Sequence, residues 1–335
     1  MATQGSSGAA VRLGLELLGG PVPASFADVA AWAEAAEGGG FDSVWVGDDP
    51  RPGEPFEATT LLGALAMRTS TLRLGTLVPP GSGRPPGAAA KVLSGVDVVS
   101  GGRLLAGVGA SPGAPGGDAV ARRLSEAVSV VRALFGGDAV TLTGRTWHLD
   151  GAVNRPPPLL GSTTPIVVVA DGELTADLGR LVDVVVVRGS PGRVAEVAEI
   201  FGAGERVSPA GERGASGPAV VWRGRAGRGR GRDVVRAPGT WLDLDRPDAC
   251  VSTLRELGAS GAAGVIVAVD GGIDRGIVGG IDRGIDRGIV GAGATVARGG
   301  SPGDGPERPG GYGDEVRAAG RFLAPLVAAE LGHGT

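Results

Sequence analysis

The sequence is poor in the side chains that most often carry proton, metal or disulfide chemistry. Its 335 residues include one cysteine, two histidines, one tyrosine and one lysine. The single cysteine, Cys250, cannot form a disulfide within the chain, and no cluster of cysteine and histidine with zinc-binding spacing is present. A chain without a disulfide framework suits a reducing compartment, so we expect a cytoplasmic protein.

The chain also lacks long apolar runs and a strong charge of either sign. Residues 1–10 are small and polar, unlike a signal peptide, and we expect them to form a disordered tail. No apolar run approaches the ~20 residues that span a bilayer. The formal net charge of −4 gives no general attraction to nucleic acid or to anionic lipid. We therefore predict a soluble protein with neither nucleic acid nor membrane as a partner.

Short apolar segments that alternate with amphipathic helices dominate the rest of the sequence. Eight segments predict strands: 11–18, 42–48, 72–78, 103–110, 165–170, 183–188, 218–223 and 264–270. Residues 166–169 and 184–187 are unbroken Ile and Val runs, typical of a parallel sheet that is buried on both faces. The eight strands favour an α/β fold, a closed (β/α)8 TIM barrel over residues 11–331, rather than an open doubly wound sheet.

Three segments depart from this alternation. Residues 139–149 predict a small hairpin outside the barrel. Residues 223–238 are rich in Gly and Arg where the seventh helix is expected, so we predict a loop there and a degenerate seventh helix. Residues 272–311 form a Gly-rich, low-complexity insertion whose four-residue Gly-Ile-Asp-Arg repeat is too short for a solenoid. We interpret it as an expanded loop, since the pattern of a calcium-binding β-roll is absent.

The Arg and Gly residues of 223–232 raise a second class of function. Alternating Arg and Gly can wrap nucleic acid electrostatically. The stretch holds no interleaved aromatic residue and the whole chain is acidic, so this interpretation is disfavoured.

A barrel of this type places its active site at the carboxyl ends of the strands. Residues of interest at the predicted strand ends are Glu16, Asp48, Thr76, Gly107, Gly109, Ser111, Gly172 and Arg188. Gly107 and Gly109 do not complete a dinucleotide-binding G-x-G-x-x-G motif, because Pro112 occupies its last position.

Several sequence blocks, taken in order, carry a family resemblance. Residues 33–48 read Ala-Glu and then Gly-Phe-Asp-Ser-Val-Trp-Val-Gly-Asp, and 73–78 read Arg-Leu-Gly-Thr-Leu-Val. Residues 91–109 run from a lysine through Ser-Gly-Gly-Arg to Gly-Val-Gly, and 156–168 form a Pro-rich entry to the fifth strand. These blocks resemble the luciferase-like monooxygenase family, coenzyme F-420-dependent type, and residues 254–269 resemble its final helix and strand.

The resemblance implies a flavin or deazaflavin bound at the barrel mouth, over the ends of strands two to four. It implies an oxidoreductase that transfers a hydride between coenzyme F-420 and a small-molecule substrate. Two alternatives remain: an FMN-dependent monooxygenase that uses reduced flavin and oxygen, and a degenerate barrel that binds a flavin or a partner without turnover. The resemblance also implies a homodimer.

The resemblance further implies roles for individual positions. Asp48 becomes the catalytic candidate that contacts the ring, although it could equally satisfy backbone groups in a loop. The residues assigned to cofactor binding are Gly75, Thr76, Leu77, Gly107, Gly109, Ser111, Gly172 and Arg188.

At 75–77 the resemblance implies a non-prolyl cis peptide that backs the ring, with a buried β-branched strand residue as the alternative role for Thr76. Gly107 and Gly109 would let the backbone approach the cofactor, or else serve packing alone. Gly172 would bind phosphate through free N–H groups, but the adjacent Asp171 would repel that group.

Overall fold

The computed structural model describes residues 12–17, 25–47, 56–78, 83–109, 117–170, 176–202, 219–227, 241–244, 246–269 and 310–331. The strands are β1 Leu13–Glu16, β2 Ser43–Gly47, β3 Arg73–Leu77, β4 Leu104–Gly107, β5 Val140–Thr143, β6 His148–Ala152, β7 Ile166–Val169, β8 Val184–Arg188, β9 Ala219–Gly227, β10 Trp241–Asp243 and β11 Ala262–Val269. The α-helices are α1 Phe26–Gly39, α2 Ala58–Ala66, α3 Pro86–Ser100, α4 Gly117–Phe135, α5 Ala176–Gly179, α6 Pro191–Gly202, α7 Pro247–Ala259 and α8 Gly310–Leu331.

Eight of these strands close into a parallel barrel. Their order around the ring is β1, β2, β3, β4, β7, β8, β9 and β11, and the β8–β9 and β11–β1 pairings complete the ring. Each barrel strand is followed by a helix before the next one begins, which is the βα alternation of a TIM barrel. The predicted (β/α)8 fold is confirmed.

Strand alternation divides the core into two layers. The barrel interior is filled by one cluster of buried residues: Trp45, Leu77, Leu105, Val167, Val169, Val184, Val186, Val221 and Ile266. The residues between them along the strands pack outward against the helices in a second, larger cluster. The unbroken apolar runs 166–169 and 184–187 are therefore buried on both faces, as their sequence predicts.

Local sequence signals place the first helix well. Ser25 caps α1 by accepting from the Asp28 backbone N–H, while the Asp28 carboxylate accepts from the Ser25 backbone N–H. The helix ends at Gly40, whose φ of 92° is left-handed and favours glycine. The predicted hairpin is also present, since β5 and β6 pair antiparallel in a separate two-stranded sheet.

The prediction that the seventh helix is degenerate is wrong. Residues 223–227 continue β9 rather than forming a loop, and the short β10 pairs in parallel with this upper part of β9. The helix then begins at Pro247, where proline suits the first turn, and runs for 13 residues. The composition misled the prediction because glycine is uncommon in strands, yet residues 223–227 extend β9 and pair with β10 and β11.

Other predicted segments lie partly or wholly outside the described residues. This holds for the tail 1–10, for residues 228–238 of the predicted loop, and for 272–309 of the predicted insertion. Residues 310 and 311, which we assigned to the insertion, belong to α8 instead. No helix in the described parts is long and apolar enough to span a membrane.

Candidate active site

Alternation along each strand determines which side chains face the barrel mouth. Residues in phase with the interior cluster along each strand point inward, and the last of them lie at the carboxyl ends of the strands. In the described structure these inward positions at the mouth are Glu16, Gly47, Leu77, Gly107, Arg188, Arg223 and Ala268. The side chains at these positions are apolar on one side of the barrel mouth and charged on the other.

One side of the mouth, formed by β2, β3 and β4, is apolar. We call Gly47, Leu77 and Gly107 the apolar rim. Leu77 is 1% exposed and joins the interior cluster. A Cβ on Gly47 would have no atom of the described residues within 4 Å. This part of the described mouth therefore carries no charged side chain.

Below the apolar rim, the indole of Trp45 fills the barrel interior. A Cβ on Gly75 would lie 2.2 Å from the indole Cε3, and a Cβ on Gly14 would lie 2.5 Å from its Nε1. Those two glycines on the neighbouring strands therefore make room for the ring. The indole N–H donates to the Ser43 hydroxyl at 3.0 Å, so this buried donor is satisfied.

Thr76 holds β3 and β4 together where their ladder ends. The ladder pairs Gly75 with Leu105 as its last register position. Beyond it, the Thr76 hydroxyl accepts from the Gly107 backbone N–H at 2.9 Å, and Thr76 is 1% exposed. A Cβ on Gly107 would meet the Thr76 carbonyl oxygen at 2.2 Å, so glycine allows this close approach.

The predicted cis peptide at 75–77 is wrong. Among the described residues the cis bond is Arg155-Pro156, which is prolyl, and β3 is a regular strand through Leu77. The family resemblance suggested the cis peptide, but here the Thr76 hydroxyl joins β3 to β4 without one.

A cleft opens beside the apolar rim, between the ends of β3 and β4 and helices α2 and α3. Its cavity volume is about 20 Å³, room for about one water molecule, and it is partly open to solvent. Its described lining is Thr59, Thr76, Val78, Gly83, Arg84, Ala89, Val92, Leu93, Gly107, Val108 and Gly109. A Cβ on Gly83 would lie 2.0 Å from the Gly109 carbonyl oxygen, so two glycine backbones pack against each other at one wall.

Arg84 is the charged residue in that described lining, and Glu57 holds it. The Arg84 guanidinium donates to Glu57 Oε1 at 2.5 Å. Burial raises the pKa of Glu57, but hydrogen bonds from the Thr59 and Thr60 hydroxyls and backbone N–H groups more than offset this, and its pKa falls to about 2. Glu57 is therefore ionised at neutral pH and caps α2 while it fixes Arg84.

The other side of the mouth is charged. Glu16 on β1, Arg188 on β8 and Arg223 on β9 form what we call the charged rim. The Arg223 guanidinium donates to both carboxylate oxygens of Glu16, with Nε to Oε2 at 2.8 Å. Their side chains are 10% and 11% exposed. Arg188 is the register partner of Arg223 on the adjacent strand and is exposed.

The structure brings together some of the predicted site residues. Thr76, Gly107 and Gly109 line the cleft, while Leu77 and Arg188 face the mouth on opposite rims. Gly75 lies deeper, against Trp45. Three further predictions, Asp48, Ser111 and Gly172, fall outside the described residues.

The sequence analysis missed Arg84, Glu57 and Arg223 as site residues. The signal for Glu57 was available, because an acidic residue two and three positions before Thr59 and Thr60 is typical of a helix start. Arg223 carried no such signal, since its partner Glu16 lies 207 residues away. In the described residues no group of three or more His, Cys, Asp or Glu is placed to hold a metal ion.

Comparison with known proteins places this architecture in a family. One curated relative is the F420-dependent glucose-6-phosphate dehydrogenase of Beutenbergia cavernae, 31% identical over 182 residues, which cover 50% of this chain and 54% of the relative. The chain spans about half the length of the curated relatives it matches.

Solved structures agree with the fold. The coenzyme F420-dependent tetrahydromethanopterin reductase from Methanopyrus kandleri aligns with a TM-score of 0.60 at 18% identity, covering 78% of this chain and 93% of that one. The oxygenating constituent of 3,6-diketocamphane monooxygenase from Pseudomonas putida, in complex with FMN, aligns with a TM-score of 0.53 at 14% identity, covering 78% and 92%. The model of the luciferase-like monooxygenase family matches residues 5–226. The chain therefore belongs to the luciferase-like monooxygenase family, a family of oxidoreductases.

Proposed function

We propose that this protein is an oxidoreductase that binds the deazaflavin coenzyme F-420 at the barrel mouth and transfers a hydride between it and a small organic substrate. The observation that carries the proposal is the uncharged rim of Gly47, Leu77 and Gly107, with a small adjoining cleft beside Thr76. Relatives named as F420-dependent support the choice of cofactor.

The described residues fit such a cofactor. A deazaflavin combines a flat ring with a phosphate-bearing tail, so it needs an apolar floor and a cation nearby. Leu77 and Gly107 supply uncharged surface under the ring, and Arg84 in the cleft would pair with negative charge on the tail. Glu57 keeps the Arg84 guanidinium in one orientation before the cofactor arrives.

The bound deazaflavin supplies the two-electron chemistry, and the chain's task is to orient it and exclude water. The Thr76 bond to Gly107 fixes the ends of β3 and β4, so the floor under the ring is rigid. The indole of Trp45 blocks solvent from below, because it fills the barrel interior and is 0% exposed. Neither role needs a histidine or lysine, which fits a sequence with so few of them.

An FMN-dependent monooxygenase is the second candidate, because the same apolar floor and the same cation suit a flavin with its phosphate. The fold of the FMN-bound diketocamphane enzyme supports this candidate at the level of architecture alone.

Titration of the purified protein with each cofactor tests the proposal. Coenzyme F-420 should bind, and a turned-over substrate should change its visible absorbance without consuming oxygen. Binding of FMN with substrate-dependent oxygen uptake would favour the monooxygenase instead. Failure of both cofactors to bind would overturn both candidates and leave a barrel without turnover.

A further inference from the structure

Large apolar side chains gather on the outer surface at the end of the barrel opposite the mouth. Of the seven large hydrophobic residues that are exposed in the described parts of the chain, six belong to one area. We call this area the basal patch: Met67, Val98, Val99, Val153, Leu159 and Leu160. Helices α2 and α3, the segment that precedes β7 and their patch residues all lead into the amino-terminal ends of barrel strands. The basal patch therefore lies away from the place proposed for the cofactor.

One guanidinium joins the helix ends that carry half of the patch. Arg103 donates from Nη2 to the Ala66 carbonyl oxygen and from Nε to the Ser100 carbonyl oxygen, both at 2.8 Å. Met67 follows Ala66 at the end of α2, and Val99 precedes Ser100 at the end of α3. The two exposed side chains therefore lie on adjacent helix ends.

The segment before β7 lies along α3 and brings the other three side chains to the patch. Asn154 Nδ2 donates to Ser94 Oγ at 2.8 Å, and the Leu159 backbone N–H donates to Asp97 Oδ2 at 2.7 Å. A Cβ on Gly102 would lie 3.8 Å from Leu159 Cδ1. Because this segment is attached to α3 near both of its ends, its apolar side chains are held beside that helix.

The basal patch is large for a surface that faces water. Its side chains together expose on the order of 500 Å² of apolar surface, as much as the largest apolar patch of a typical monomer. A standard protein–protein interface buries about 800 Å² on each partner. The patch alone supplies more than half of that area, and it contains no charged residue, which is typical of the centre of an interface.

Charged residues lie at two edges of the patch. Around the barrel α1, α2 and α3 follow one another, and the segment before β7 comes next. At the α1 edge Glu34 pairs with Arg68 at 2.6 Å. At the far edge Lys91 and Arg155 are exposed, and the Lys91 ammonium donates to the Arg155 carbonyl oxygen. A two-fold axis through the patch would set the basic edge of one copy against the Glu34 edge of the other, so that the two basic edges do not face each other.

We infer that the basal patch is the surface through which two copies of this chain pair about a two-fold axis. An apolar centre of this size is matched by an identical apolar centre, so one contact removes both from water. The mouths of both barrels stay open, because each patch lies at the other end of its barrel. The inference therefore does not depend on the proposed function.

Sedimentation velocity of the full chain over a range of concentrations tests the inference. Met67→Glu and Val99→Glu each place a carboxylate in the patch, on residues that are 74% and 52% exposed. Both positions face solvent in the monomer, so its core does not need them. Phe26→Glu is the matched control, because Phe26 is the exposed large apolar residue outside the patch, on α1 and 37% exposed.

We expect the wild type and Phe26→Glu to sediment as dimers, and each patch variant to raise the dimer Kd by about tenfold or more, because a carboxylate would be buried without a partner. Circular dichroism spectra like that of the wild type would show that the variants are folded. A wild type that stays monomeric at every concentration overturns the inference, and so do folded patch variants that dimerise as tightly as the wild type. A monomeric wild type that floats with phosphatidylcholine vesicles would assign the patch to a lipid surface instead.

Discussion

The two rims of the barrel mouth are built on different principles. The apolar rim depends on glycines that let backbone and ring atoms approach closely, as at Gly75 against Trp45 and Gly107 against Thr76. The charged rim depends on one ion pair between strands that are distant in sequence, Glu16 and Arg223. Steric fit therefore shapes the side of the mouth proposed for the cofactor, and electrostatics shape the opposite side.

The largest effect on stability should come from breaking the charged rim on one side only. Glu16→Ala removes the carboxylate from a guanidinium that is 10% exposed, and we expect a loss of about 3 kcal/mol in the free energy of unfolding. Urea denaturation followed by circular dichroism measures it. The double variant Glu16→Leu/Arg223→Met should lose far less, because no charge is left behind; an equal loss in both variants would contradict the account.

A smaller loss should follow from adding one methyl group on the apolar side. Gly75→Ala places a Cβ 2.2 Å from the buried Trp45 ring, and we expect a loss of about 1–3 kcal/mol from overpacking. Gly95→Ala in helix α3 is the control, because its Cβ would meet nothing within 4 Å. It should stabilise the protein by up to about 1 kcal/mol through helix propensity. Similar melting temperatures for the two variants would show that Trp45 does not require the glycine.

Much of the fold follows from local sequence. The runs 166–169 and 184–187 predict strands covered on both faces, because short runs of β-branched residues favour strands and a parallel sheet buries both of its faces. Ser25, Asp28 and Gly40 fixed the ends of α1 through capping interactions that span a few residues. Such signals are short-range, and the sequence displays them directly.

The site was less predictable because its contacts are long-range. Gly75 was assigned to cofactor binding from a family resemblance, yet its neighbour is the Trp45 ring of the adjacent strand. The Glu16–Arg223 pair appears only when the barrel closes. Composition misplaced the seventh helix, because the Gly and Arg residues of 223–227 lie in a strand that pairs on both sides.

The pH dependence at the cleft should be modest and should appear only in acid. The pKa of Glu57 is lowered to about 2 from its ordinary 4.5 by hydrogen bonds that outweigh its partial burial. A lowered pKa means that this contribution to stability is complete above about pH 4.5 and is lost as the pH falls toward 2. Glu57→Gln should therefore flatten this part of the stability–pH curve, measured by chemical denaturation between pH 2 and 6. Parallel stability–pH curves for the variant and the wild type would contradict the lowered pKa of Glu57.

The smallest effect should come from shortening the chain between β11 and α8. The Tyr312 hydroxyl donates to the Val269 carbonyl at 2.9 Å, so α8 begins beside the end of β11. Replacing residues 272–307 with a short Gly-Ser linker should change the free energy of unfolding by about 1 kcal/mol or less. A large loss of stability in thermal melts would show that the barrel needs this segment.

The central claim is that the cofactor binds at the cleft beside the apolar rim. Ala89 lines that cleft on α3, whereas its neighbour Ala88 is exposed on the same helix and outside the lining. Fluorescence titration with coenzyme F-420 should give the same Kd for the wild type and Ala88→Trp, while Ala89→Trp should weaken binding by about tenfold or more because the indole occupies the cleft. Equal affinity in all three proteins, or no binding in any of them, would contradict the claim.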